Sequence, residues 1–288
     1  MAVAAGAARM TGLLLVAPAV LFLVGFYLLP LGLLLEESLR PWSGDAHPTA
    51  AMGLQQYERV WSSGRSWRAL ERTVRISLVS TLITFLLAYP IALFLLRAGP
   101  RLRTAILLSL FVSLASSLIV RNYGWLVTLA DAGPVNQLLL ALGLADAPLR
   151  MVYNEEATII ALVHYALPFM VLPIYGALLR IPPSFVEASQ SLGAGPWRAL
   201  WGIVLPLSMP GVFGGTTLTF AICMSAFVTP LMLGSPATSM ISQVAAEQFL
   251  VQLNFPFGSA MVVVLTVVTF AILLAYTLLV RAAVRVHA

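Results

Sequence analysis

Lysine is missing from this chain altogether, and charge of either sign is scarce: charged residues make up 9% of 288 positions and apolar ones 60%. A soluble domain carries roughly 25% charged residues, so a surface kept in water is excluded and the solvent is a bilayer. Cysteine is nearly absent as well. The single Cys223 rules out an intramolecular disulfide and a Cys-based zinc site, and it leaves the redox compartment unread. No HExxH or GxSxG motif occurs, and Cys223 has no histidine near it in sequence, so no nucleophilic or zinc chemistry is expected.

What the chain does have is apolar length. Crossing ~30 Å of hydrocarbon takes about 20 helical residues, and six runs qualify: 13–35, 76–96, 105–129, 157–179, 211–233 and 257–280. The first follows Arg9 as a signal peptide would, but it exceeds an h-region and runs into Leu-Glu-Glu-Ser-Leu-Arg, so it is kept as a span. Backbone polar groups in lipid must bond within their own segment, which makes the expected fold an all-α, polytopic membrane bundle of six helices, one domain over 1–288.

All 16 basic residues are arginines, and short arginine-rich loops stay in the cytoplasm. With both termini inside, that side holds Arg9, Arg97, Arg101, Arg103, Arg180, Arg198, Arg281 and Arg285 against one acid, Glu187. The opposite loop 130–156 holds Asp131, Asp146, Glu155 and Glu156 against Arg150, and 234–256 holds Glu247 with no Arg. Residues 36–75 roughly balance, but longer loops weigh less. The net charge of +5 therefore reports topology and not affinity for nucleic acid.

The loop of about 180–207 is the unusual cytoplasmic segment. Pro182 and Pro183 precede a run that is helical from about Ser184, with Glu187 at the spacing of a capping box. Gly193 and Gly195 end it, and Pro196 opens a second short helix. The small residues Ala188, Ser189, Ser191 and Gly193 let another surface approach closely, so the element has the form of a docking knob. The plainer reading is an interfacial linker that Trp197, Trp201 and Arg198 anchor at the headgroups.

Glu187, Ala188, Ser189, Gly193, Ile203, Leu205 and Pro206 together resemble the EAA loop of bacterial ABC importer permease subunits, with Ser189 in place of the usual alanine. The stretches Ser116–Leu144, Val152–Leu178 and Phe227–Pro236 are similar to spermidine/putrescine-type permeases, from roughly Arg72 onward. That resemblance implies the type I importer permease fold and a multi-pass place in the bacterial inner membrane. It further implies two ATPase subunits on the coupling loop, a second, homologous permease, and a periplasmic or extracellular solute-binding protein. ATP and Mg belong to the ATPase, since this chain has no GxxxxGKS/T phosphate loop and is expected to bind no cofactor or metal. A polyamine is the first expectation for the solute, with an aminophosphonate or amino-acid derivative as the alternative. A stand-alone secondary transporter is the other class, and it has no reason to carry the Glu187–Pro206 pattern.

A polycation needs carboxylates and aromatic faces along its path. At helical spacing Tyr123 and Asp131 lie on roughly one face and Trp125 points away. Met224, Ser225, Phe227 and Glu247 are further pathway candidates. The plainer readings place Tyr123 and Trp125 in an aromatic belt, let Arg121 snorkel, and give Asp131 the turn at Asp-Ala-Gly-Pro. His164 fits a neutral imidazole bonded to a neighbouring helix, Glu155 and Glu156 fit the start of the fourth span, and the Gly214–Thr217 segment fits close helix packing.

Overall fold

The computed structural model describes residues 16–42 and 52–286, the side chains of 281 and 283–286 excepted. Arg9, the first three residues of the 13–35 run, and the side chains of Arg281 and Arg285 lie outside the described residues. The described residues form helices and no strand: α1 (Val16–Ser38), α2 (Gln55–Ser62), α3 (Gly64–Arg97), α4 (Pro100–Ala115), α5 (Leu118–Leu129) and α6 (Pro134–Ala141), then α7 (Glu155–Leu178), α8 (Pro183–Ser191), α9 (Pro196–Met224), α10 (Val228–Leu233), α11 (Ile241–Leu250) and α12 (Phe255–Val286). Five of these, α1, α3, α7, α9 and α12, are long and apolar enough to cross a membrane, and the count reaches six when α4 and the segment Leu118–Ala141, bent from it by 105°, are taken together as one broken span.

The chain divides into two compact units, Met1–Trp67 with Val244–Thr266 and Arg68–Gln243 with Val267–Ala288. In the first, Ser38 Oγ and Tyr57 OH share a hydrogen bond of 2.6 Å that ties the end of α1 to α2. There Arg59 lies 4.5 Å over the Phe257 ring, and Arg65 donates from Nη1 to Glu247 Oε1 at 3.0 Å.

The second unit is built on α7, whose side chains are buried along most of its length. Asn154 caps it by accepting from the Ala157 N–H at 2.8 Å, and Glu155 and Glu156 complement the positive end of its dipole. α9 lies along α7 because two glycines, one turn apart, remove the side chains that would hold the helices off. A Cβ at Gly211 would stand 2.5 Å from Pro173 O, and one at Gly215 would stand 3.0 Å from Met170 Sδ. Gly214 beside them has nothing within 4 Å, so the packing expected of the Gly214–Thr217 segment rests on Gly215. Ala88, Leu95, Met170, Ile174 and Val212 join α3, α7 and α9 in one core.

Two of the expected spans are broken. The run 105–129 is interrupted at Ser116, which is extended, and Ser117, and the segments on either side are bent by 105°. Serine side chains offer the backbone partners that helix geometry otherwise supplies, and Ser116 Oγ donates to Val112 O at 2.7 Å. The run 211–233 is a helix that starts earlier, at Pro196, and stops at Met224, with Ser225–Phe227 separating it from α10. Ser225 Oγ takes the Ile222 carbonyl at 3.1 Å, and Ser242 Oγ takes that of Ala226 at 2.6 Å. Apolar composition alone does not distinguish such breaks, since lipid-competent residues continue through both.

Candidate functional site

The Glu187–Pro206 loop forms a short helix, a left-handed turn, and then a helix that is not short. α8 begins at Pro183 with Pro182 in the cap position and no side-chain cap bond, so the expected Ser184–Glu187 capping box does not form. Proline lacks an N–H and fixes φ, so it starts the helix without a cap side chain. α8 closes on Leu192, and Gly193 follows at φ +83°, a conformation that L side chains avoid. From Pro196 the helix runs through a π-helical stretch, Leu200–Val204, directly into the span, so the second short helix expected from sequence is the first part of α9.

Side chains in this loop divide cleanly. Glu187, Ala188 and Pro206 are exposed, Ile203 and Leu205 are half-buried, and Leu205 packs on the core of α3, α7 and α9. Ser189 is buried with its Oγ on Val186 O at 2.7 Å, so the position demands a small residue. Leu192, beside the Gly193 turn, is 90% exposed, and Trp197 and Trp201 are exposed with it. A large apolar side chain at the tip of a rigid turn has the form of an anchor for another surface.

The second region lies where the two broken spans meet. Asn122 on α5 and Thr229 on α10, both buried, bond through Asn122 Nδ2 and Thr229 Oγ1 at 3.2 Å. One residue away, Arg121 Nη2 donates to the carbonyls of Ser113 and Ser116, freed where α4 stops. Its guanidinium also sits 5.2 Å from the Tyr165 ring, near the middle of the 24 residues of α7, and no carboxylate pairs with it among the described residues. Trp125 Nε1 donates to His164 Nδ1 at 3.1 Å, so Trp125 faces α7 and His164 bonds a neighbouring helix. Irregular backbone at membrane depth persists only where protein buries it or where it lines a cavity, and at this junction Asn122 and Thr229 are buried against each other.

Of the residues expected along the path, Tyr123 is 60% exposed on α5, while Met224 is 1% exposed and enclosed by its own chain. Ser225 is open at the break, and Phe227 is half-buried beside it. Asp131 is exposed but not on the helix: α5 ends at Leu129, Ala130 is extended, and Asp131 lies in the following turn. The shared helical face inferred for Tyr123 and Asp131 therefore does not exist, because the helical period stops short of the second residue. Glu247 lies in the first unit, held by Arg65.

Sequence reasoning missed four residues. Arg72 and Arg75 both hold Glu155, at 2.8 and 2.7 Å, and Arg72 also reaches Ser239 O at 3.1 Å. Arginines at helical spacing before the second span were the signal. Asn136 closes the 130–149 loop through the carbonyls of Ala130 and Leu149 and the Leu149 N–H, at 3.1, 3.0 and 2.8 Å. Asn122, a lone amide within an apolar run, carried the trace of the α5–α10 contact.

Comparison with known proteins gives these features a family. The family model described as "Binding-protein-dependent transport system inner membrane component" matches residues 13–285. The spermidine/putrescine transport system permease protein PotB of Escherichia coli (strain K12) is 33% identical over 210 residues, 73% of this chain and 76% of that protein. PotB of Haemophilus influenzae is 29% identical over 255 residues, 88% of this chain and 89% of that one. A solved bacterial ABC transporter involved in the import of alginate shares the fold, with a TM-score of 0.78 at 19% identity and 95% of each chain covered. The chain therefore belongs to the binding-protein-dependent transport system inner membrane component family, as the multi-pass permease subunit of an ABC importer and not as an enzyme.

Proposed function

We propose that this permease carries a polyamine of the spermidine/putrescine class inward across the bacterial inner membrane. It does so with a second, homologous permease, two ATPase subunits that use ATP and Mg, and a periplasmic solute-binding protein. Both termini lie in the cytoplasm, and α8 with the Gly193 turn docks on an ATPase subunit. The likeness to PotB permeases over 73% and 88% of the chain carries the reading. The exposed Leu192 at a fixed turn supports the docking role. An exposed Tyr123 and an exposed Asp131 with no ion pair among the described residues support contact with a cation.

One observation favours a second reading, a solute that also bears an anionic group, such as an aminophosphonate or an amino-acid derivative. Arg121 is a fixed cation at the broken spans with no carboxylate beside it, and ionisable groups at that depth mark solute or ion pathways. Uptake of labelled putrescine, spermidine and 2-aminoethylphosphonate separates the two, measured in cells that express this chain with its partner subunits and lack their own polyamine importers. Saturable polyamine uptake that needs ATP is the expected result. Uptake of the phosphonate alone would replace the polyamine reading, and transport by the isolated chain in liposomes would replace the importer reading.

A further inference from the structure

The geometry points to a binding site for an anionic phospholipid in a cleft behind α8. The cleft, of about 400 Å³, opens where the end of α3, α8 and the beginning of α9 converge. Leu93, Phe94, Leu200 and Val204 supply an apolar wall, and Arg97, Gln190 and Trp197 supply the polar and aromatic side chains of its lining. That is the form of one acyl chain with its phosphate: a space within the range of ligand sites, apolar along its length, with a guanidinium for a phosphate oxygen.

Charge selects the headgroup. Arg97 is exposed and has no carboxylate within ion-pair distance among the described residues, and Arg101, four residues on at the start of α4, is exposed as well. Arg103 is committed elsewhere, to the carbonyls of Leu95, Leu96 and Ala98, which leaves Arg97 for an outside partner. Glu187, the acid on α8, is exposed and does not line the cleft. A soluble phosphate would gain nothing from the apolar wall, and a zwitterionic lipid would bring its own ammonium group beside Arg97 and Arg101, which a net anionic headgroup does not. Exposed Trp197 and Trp201 set the depth, since tryptophan collects at the membrane–water boundary. Val204 and Leu200 belong to the π-helical stretch of α9, so a chain seated there also fills the irregularity that such a stretch leaves in a helix surface. The site goes beyond the transport reading and rests only on this end of the bundle lying at a lipid headgroup layer.

The test is native mass spectrometry of the full-length chain titrated with palmitoyl-oleoyl phosphatidylglycerol or with the corresponding phosphatidylcholine. Both lipids carry a photoreactive acyl chain, so the site is mapped in the same sample. The expected result is selective retention of phosphatidylglycerol, with the label on peptides containing Phe94, Trp197 or Leu200. R97Q should weaken that retention roughly fivefold, the equivalent of about 1 kcal/mol for one arginine at a lipid surface. R97K should keep most of it, and R150Q, in the loop before α7 and outside the cleft, should keep all of it. Equal retention of the two lipids, labelling elsewhere, equal losses in R97K and R97Q, or displacement of the lipid by inorganic phosphate would each overturn the site. If R97Q does not fold, label position and headgroup selectivity in the unaltered chain decide alone. No transported solute enters the measurement, so its outcome is separate from that of the polyamine reading.

Discussion

The Trp125 indole and the His164 imidazole meet edge to face, centroids 5.6 Å apart at 75°, with the indole N–H on Nδ1 at 3.1 Å. An Nδ1 that accepts fixes the neutral imidazole as the Nε2–H tautomer. Interhelical hydrogen bonds in bilayers average about 0.6 kcal/mol, whereas truncating a packed aromatic side chain costs about 3–5 kcal/mol. Trp125→Phe should therefore lower thermal stability in detergent only slightly, and Trp125→Ala several times more. Equal losses would mean that the bond, and not the ring, joins α5 to α7.

Helix contact in the second unit turns on which glycine is replaced. A methyl group at Gly211 meets Pro173 O and Ala177 Cβ at 2.5 Å, while at Gly214 it meets nothing within 4 Å. Overpacking of this kind costs about 1–3 kcal/mol. Gly211→Ala should reduce folded yield and unfold at lower denaturant, and Gly214→Ala should match the parent in both. A defect in Gly214→Ala alone would place the close approach on the other side of α9.

Six apolar runs were legible in the sequence because length and hydropathy are what a bilayer selects, and five of them match helices that pass the same test of length and polarity. The breaks at Ser116–Ser117 and Ser225–Phe227 were not legible, since each is made by tertiary partners: Arg121 on freed carbonyls, and Ser242 on Ala226 O. The same limit explains Asp131. Periodicity extends a helix until something ends it, and the extended Ala130 leaves no mark in hydropathy. Turn chemistry was more visible at Gly193, where two glycines beside a proline announced a stop.

At that turn, two substitutions separate shape from surface. Gly193 sits at φ +83° with nothing within 4 Å of a Cβ, so inside this chain a larger side chain meets strain but no clash. An L residue there costs about 1–2 kcal/mol, whatever its size. Gly193→Ala and Gly193→Trp should therefore lose similar stability, yet Gly193→Trp should lose far more solute-stimulated ATP turnover in the reconstituted complex. Equal turnover in the two variants would remove the turn from the ATPase contact.

Solute charge can be read from two residues whose environments differ. Asp131 is exposed in the turn after α5 and has no ion pair among the described residues. Arg121 is half-buried, with Nη1 enclosed and lacking a hydrogen-bond partner among the described residues, and it holds α4 to α5 through the carbonyls of Ser113 and Ser116. For a polyamine, Asp131→Asn removes an attraction and keeps the shape, so uptake at limiting concentration should fall several-fold; a charge pair in a half-wet site is worth about 1 kcal/mol, roughly fivefold. Tyr123→Ala should cost a comparable amount, because its exposed ring offers a cation–π face worth about 0.5–1 kcal/mol. Arg121→Gln deletes the positive charge and leaves a shorter amide donor near the two carbonyls, so polyamine uptake should hold or rise where the variant inserts at parental levels. A solute with a phosphonate or carboxylate group reverses the pattern: Asp131→Asn becomes neutral and Arg121→Gln becomes the damaging change. Initial rates of putrescine, spermidine and 2-aminoethylphosphonate uptake, normalised to surface-expressed protein, read both patterns in one experiment. If neither substitution shifts the preference between these solutes, the broken spans do not contact the solute, and selection lies with the partner subunits.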